Sequence, residues 1–194
     1  MERLYLIRHG AAESNLKRLY LGRNDVPLCQ TGVQQAQDRA AQGLPAVEQL
    51  FSSPLSRCLQ TAHILYPALQ PVVIDEFMEI DFGRFEGKSH RELLKSDADY
   101  GRWLASGGEA PIPGGESMKQ LKERVKRGFF KLLKLCTCSS AAAVVHGGTI
   151  MALLSELCAP PRSFYDGFTQ NCGIVPCRWD GVRLAVVEEN SRHE

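Results

Sequence analysis

The 194-residue sequence predicts an α/β fold: a three-layer α/β/α sandwich with a mostly parallel sheet and an antiparallel edge strand. Three observations carry this reading. Apolar runs at residues 4–7, 50–52, 72–74 and 141–145 are too short for helices and suit strands buried on both faces. Segments of helical period lie between them, the alternation that joins parallel strands through helical crossovers. Two closing runs, 174–179 and 182–187, flank Asp180-Gly181, a two-residue hairpin signal.

The first run ends abruptly in Arg8-His9-Gly10, which places a cation, an imidazole and a close-approach glycine at the carboxyl end of a strand. With a helix starting beyond Gly10, that point should attract an anion. Residues 19–28, with Gly22, Asn24-Asp25 and Pro27, read as an ordered loop wrapping the same site. Thr31 to Gln34 resembles a capping box for a helix carrying Val33, Ala36 and Ala40 and closed by Gly43 and Pro45. After the run at 50–52, Ser53 reads as an N-cap with Pro54 at the first helical position, which puts Arg57 in or next to the first turn. That helix shows Leu55, Leu59, Ala62 and Leu65 on one face and stops near Pro67.

Beyond the run at 72–74 the apolar period weakens. Residues 75–115, punctuated by Gly and Pro, predict a cap or lid insertion with two short helices, anchored by Tyr100 and Trp103. Ser117 to Gln120 offers another capping box, and Met118, Leu121, Val125, Phe129 and Leu132 continue a long amphipathic helix whose Lys and Arg residues form a solvated face. The run at 141–145 ends in His146-Gly147-Gly148-Thr149 before an apolar helix through Leu157. Pro176 marks its strand as the sheet edge. His63 and His90 fall in helical stretches away from the strand ends, and His193 belongs to a polar tail.

Bulk properties narrow the function. The length suits a single domain, residues 1–194, burying roughly 70% of the unfolded surface. A net charge of +1 leaves no strong field for nucleic acid or an acidic membrane, so an anion must be held locally. No apolar run approaches the ~20 residues of a membrane span, and the N-terminus passes straight into a strand, which predicts a cytoplasmic protein. Seven Cys, an odd number in apolar or helical contexts, suit reduced thiols. The spacing of Cys136, Cys138, Cys172 and Cys177 matches no usual zinc pattern, and no metal or cofactor is expected.

Arg8, His9, Arg57 and His146 thus gather at one sheet edge, a set of cations and imidazoles suited to a phosphoryl group. The motifs Arg8-His9-Gly10 with Asn15, residues 22–28, Ser52-Ser53-Pro54-Leu55-Ser56-Arg57 with Gln60-Thr61-Ala62, residues 79–87, and His146-Gly147-Gly148 resemble the histidine phosphatase superfamily in its order. The resemblance implies that His9 is the nucleophile, that Arg8, Arg57 and His146 hold phosphate, and that Glu79 is the proton donor. Asn15, Leu21, Gly22 and Gly147 are then expected at the substrate. Three positions depart from the family: Ala11-Ala12 stands where Glu-Thr is common, and Cys29 where Thr is frequent.

The same resemblance implies a metal-independent phosphomonoester hydrolase working through phosphohistidine on a small phosphorylated metabolite. Ile80 follows Glu79 where mutases carry Arg, and no Arg-Arg pair occurs before Gly114, which favours a phosphatase over a phosphoglycerate mutase. The segments around 79–87 and 113–117 look most like small bacterial α-ribazole-5'-phosphate phosphatases of cobalamin assembly. A broad-specificity sugar-phosphate or phosphoglycerate phosphatase shares these features. A non-catalytic phospho-ligand binder should have lost His9, Arg57, His146 or Glu79, and none is lost. Nothing in the sequence bears on oligomeric state.

Overall fold

The computed structural model describes residues 1–187; His193 lies outside the described residues. Its strands are β1 (Arg3–Arg8), β2 (Gln49–Ser52), β3 (Val72–Val73), β4 (Ser140–Val145), β5 (Ile174–Trp179) and β6 (Leu184–Val186). They form one sheet in the order β3-β2-β4-β1-β5-β6. The first four in that order are parallel; β5 runs antiparallel to β1, and β6 to β5. The mostly parallel α/β sheet with an antiparallel margin is as the sequence predicts.

Strand alternation divides the core into two. Leu4, Leu6, Phe51, Ala141, Ala143 and Val145 face α6 (Met118–Leu135) and α7 (Gly147–Leu157). Tyr5, Ile7, Leu50, Ala142 and Val144 face α2 (Gln30–Ala41) and α3 (Ser56–Leu65), which follow a one-turn α1 (Glu13–Leu16). Small residues on β4 let helices approach the sheet from both sides. On α6, Leu121, Val125, Phe129 and Leu132 are fully buried, each contributing about 1.5–3 kcal/mol by leaving water. Its start is fixed as expected: Ser117 Oγ accepts Gln120 N–H, and Gln120 Oε1 accepts Ser117 N–H.

Three local expectations are corrected. Thr31 is not a cap: α2 starts at Gln30, with Cys29 as N-cap and no side-chain bond to the helix. Gly32 lies so close to the Ala11 backbone that no Cβ fits, and that contact sets the helix position. Ser53 is not a cap either, because α3 begins at Ser56. Its N-terminus is held instead by Asp25, whose carboxylate accepts Ser56 N–H at 2.7 Å and Ser56 Oγ–H at 2.8 Å, a favourable place for negative charge. Finally, Pro176 lies on β5, which has neighbours on both sides; the edge strand on that side of the sheet is β6. The Pro176 carbonyl accepts Val187 N–H just past the end of β6, so its missing donor faces the point where that ladder stops.

Residues 75–117 cover the carboxyl end of the sheet through two 3-10 turns (Asp75–Phe77, Gly83–Phe85) and two short helices, α4 (His90–Ser96) and α5 (Ala98–Ala105). Tyr100 and Trp103 anchor this region, Tyr100 packing edge-on against Phe85 at 5.2 Å and Trp103 against Tyr20 at 6.0 Å. His90 is exposed, with Nδ1 2.5 Å from the Tyr100 hydroxyl, and His63 is exposed. All seven cysteines are free, and among the described residues no group of three metal-ligating side chains converges. No helix among the described residues is long and apolar enough to cross a membrane.

Candidate active site

Parallel strands end together, so β1 delivers Arg8 and His9 to the edge where β4 delivers His146. His9 is buried, with Nδ1 2.6 Å from the Gly10 carbonyl oxygen. A carbonyl only accepts, so Nδ1 carries the proton and Nε2 keeps its lone pair. Arg57 Nε approaches that lone pair at 3.3 Å. The guanidinium is fully buried in the first turn of α3 and oriented by two loop carbonyls, Gly22 O at 2.6 Å and Asn24 O at 2.9 Å. The His146 ring stands edge-on to His9, centroids 5.0 Å apart, with Nε2 2.8 Å from Ser53 Oγ. Arg8 donates through Nη1 to the Thr169 carbonyl at 2.7 Å, and its Nε is buried without a partner.

Both imidazoles are held neutral. Burial, then the Arg57 charge, lowers His9 to about 3 and pushes His146 well below the ordinary histidine range. Glu79 reaches the same edge from the turn after Phe77. Its Oε1 accepts Ile80 N–H at 2.9 Å and Oε2 accepts Gly148 N–H at 3.0 Å. A side chain at Gly148 would strike the Glu79 carboxylate. Burial pushes the Glu79 carboxyl up, outweighing the two N–H bonds and the Arg57 and Arg8 charges that favour its ionised form. An imidazole with a free Nε2 lone pair, cations and a carboxyl whose pKa burial raises therefore share one sheet edge.

A cavity of about 400 Å³ adjoins this edge, lined there by Arg8, Asn15, Glu79 and Gly147. Aromatic and aliphatic side chains form most of its wall, among them Tyr20, Leu21, Phe82, Trp103, Phe164 and Phe168.

Residues 4–192 match the model of the histidine phosphatase superfamily, branch 1. The chain belongs to that superfamily. It is 32% identical over 164 residues to the adenosylcobalamin/alpha-ribazole phosphatase of Escherichia coli, covering 82% of this chain and 80% of that one. Among solved structures, the alpha-ribazole phosphatase of Shigella flexneri superposes with a TM-score of 0.87 at 26% identity, covering 98% of this chain and 96% of the other. A phosphoserine phosphatase of Entamoeba histolytica in complex with 3-phosphoglyceric acid gives a TM-score of 0.83 at 27% identity, covering 97% and 96%. The expected enzyme class, a phosphatase of the histidine phosphatase superfamily, agrees with these matches.

Of the residues singled out in the sequence, Arg8, His9, Arg57, His146 and Glu79 converge in this histidine phosphatase. Asn15, Leu21 and Gly147 line the cavity. Gly22 does not; its N–H goes to Glu86 Oε1 at 2.9 Å and its carbonyl to Arg57. Several residues that complete the site are not among the site residues the sequence names. Ser53 bonds His146, Thr61 Oγ1 accepts Gly10 N–H at 3.0 Å, and Asn171 Nδ2 donates to the His9 carbonyl at 2.8 Å. Ser53 and Thr61 sit inside matched motifs and were open to discovery. Thr169 and Asn171 lie in the loop before β5, which only the sheet topology brings beside β1.

The buried neutral imidazoles predict an acid-side loss of stability. Unfolded histidine titrates near 6.5, and folded His9 at about 3. Between those values the unfolded chain binds a proton that the folded chain refuses, so stability falls as pH drops below 6.5 and the loss for His9 is complete near 3. Urea midpoints should decline from about pH 7 to about pH 4, and His9→Asn should flatten the slope by about one proton. An identical slope in both proteins would contradict a neutral buried His9.

Proposed function

We propose that this chain is a metal-independent phosphomonoester hydrolase with a phosphohistidine intermediate on His9. The observation that carries the proposal is the His9 tautomer: Nδ1–H is tied to Gly10 O, and the Nε2 lone pair lies at the cation-lined edge with Glu79. In the first step Nε2 attacks phosphorus, the P–O bond to the leaving group breaks, and the Glu79 carboxyl gives its proton to the departing oxygen. Arg8, Arg57 and His146 hold the equatorial oxygens, whose charge they stabilise as the phosphoryl moves. In the second step Glu79, now a carboxylate, takes a proton from water as that water attacks phosphorus. The N–P bond breaks, imidazole leaves with its electron pair, and inorganic phosphate is released. The whole chain acts as one catalytic domain in the cytoplasm, with 75–115 as its cap.

The cavity wall supports a substrate class. Among the described lining residues Arg8 is the one cation, and it belongs to the phosphate end. A carboxylate-bearing leaving group, whether glycerate or zwitterionic serine, would bring ionised groups into a mostly apolar cavity whose described lining offers the carboxylate no second cation, a costly placement. An uncharged leaving group with a planar apolar part fits the wall formed by Tyr20, Phe82 and Trp103. We therefore favour α-ribazole-5'-phosphate over phosphoserine, phosphoglycerates or simple sugar phosphates, and hydrolysis over mutase activity.

A panel of these phosphomonoesters, assayed after exhaustive treatment with EDTA, tests both parts. Activity should survive chelation, because guanidiniums and imidazoles occupy the roles a metal would fill. The kcat/KM for α-ribazole-5'-phosphate should exceed that for phosphoserine and 3-phosphoglycerate by on the order of 10²-fold. Restoration of a lost activity by zinc or magnesium alone would overturn the metal-independent mechanism. Equal or better turnover of the carboxylate-bearing esters would overturn the substrate class, and interconversion of phosphoglycerates faster than phosphate release would make the enzyme a mutase.

A further inference from the structure

We propose that Arg124, paired with Glu116, is the positioning residue that sets where Glu79 presents its carboxyl. The inference rests on the reading of Glu79 as the acid. Arg124 lies on α6, whose basic residues the sequence assigns to a solvated face, yet its side chain is only 12% exposed and Glu116 only 8%. All five guanidinium N–H groups are committed. Nε donates to Glu116 Oε1 at 2.7 Å and Nη2 to Glu116 Oε2 at 2.6 Å, a bidentate ion pair. The remaining donors reach the chain leading to the acid: Nη1 binds the carbonyls of Glu76 at 2.7 Å and Met78 at 2.9 Å, and Nη2 binds the carbonyl of Glu79 itself at 3.2 Å.

These bonds supply what the local backbone lacks. Residues 78–82 belong to neither helix nor strand, so their carbonyls have no ladder to satisfy them. Thr149 Oγ1 lies 3.2 Å from Phe77 O and 3.1 Å from Met78 O, pinning the same segment from α7. Glu116 also anchors the far side, its N–H donating to Asp81 O at 2.9 Å. The Glu79 side chain is bonded to only two backbone N–H groups, so its place relative to His9 follows the backbone that Arg124 holds. Lysine keeps the charge but cannot fork across three carbonyls and a carboxylate.

The test is the rate of phosphoenzyme formation in single turnover, for one alkyl and one aryl phosphate, in Arg124→Lys, Glu79→Gln and the double variant. A second route to the same cut, Arg124→Met with Glu116→Gln, removes both charges together and keeps the fold from carrying an unpaired buried ion. A positioning role predicts that Arg124→Lys slows the alkyl ester by on the order of 10- to 100-fold and the aryl ester by less than about threefold. In the Glu79→Gln background the same change should add almost nothing, and the Met/Gln pair should repeat the pattern. Equal losses for both esters, or a full additional loss in the Glu79→Gln background, would reduce Arg124 to a general scaffold residue and leave Glu79 standing as the acid. If Glu79→Gln itself shows no dependence on leaving group, the acid assignment fails and this inference fails with it.

Discussion

Glu79→Gln is expected to slow phosphoryl transfer from an alkyl ester by on the order of 10²–10⁴-fold, while transfer from a p-nitrophenyl ester falls far less. An alkoxide is a strong base and must be protonated as the P–O bond breaks, whereas p-nitrophenolate leaves without help. The amide keeps the size of the carboxyl, and its carbonyl oxygen can still accept from one of the two N–H groups, Ile80 or Gly148, that hold Glu79, so the main loss is the proton. The measurement has to be single-turnover phosphoenzyme formation, because Glu79 also assists the later hydrolysis common to both esters. The pH dependence has a defined sign. Burial raises the Glu79 carboxyl, so wild-type rates on alkyl esters should fall as pH rises through that raised value, and the variant should lose this alkaline limb. Equal losses for both esters would make Glu79 a wall of the pocket and send the search for the acid elsewhere in the cap. Glu86 is poorly placed for that role, since it does not line the cavity that Glu79 and Arg8 reach.

His9→Ala should cost on the order of 10⁴-fold or more in kcat, the loss expected when one member of a concerted catalytic set is removed. Binding should survive it. Arg8, Arg57 and His146 are each held by partners other than His9: Thr169 O, the carbonyls of Gly22 and Asn24, and Ser53 Oγ. The variant should therefore retain affinity for phosphate and for uncleaved phosphomonoester, measured by equilibrium titration, while turnover disappears. Parallel loss of binding and turnover would mean that His9 organises the anion site and that its removal reports on structure.

How much of this was legible in the chain depends on whether a residue's role is local or distant. The strand ends were legible, because an apolar run that stops in Arg8-His9-Gly10 or His146-Gly147-Gly148 announces its own geometry. Arg57 was placed correctly although its helix starts at Ser56, since a two- or three-residue error in the cap still leaves it in the first turn. The sequence misplaces the caps at Ser53 and Thr31 because their competitors come from distant parts of the chain, His146 for Ser53 and the tight Ala11–Gly32 contact near Thr31. The sequence assigns Arg124 to solvent because helical periodicity registers side-chain polarity and is blind to backbone carbonyls arriving from residues 76–79. Pro176 misled for a related reason: a missing donor excludes a strand from the interior only when both ladders run its full length, and β6 is too short for that.

The covalent intermediate is the centre of the mechanism, and trapping it is the most direct measurement. The enzyme is mixed with ³²P-labelled phosphomonoester, quenched in alkali within the first turnover, and digested for mapping. Attack by His9 Nε2 predicts label that is stable to base and lost in acid, carried on the peptide containing His9 and absent from His9→Ala. Label that persists in His9→Ala, or a burst of released alcohol with no labelled protein at any time, would contradict it.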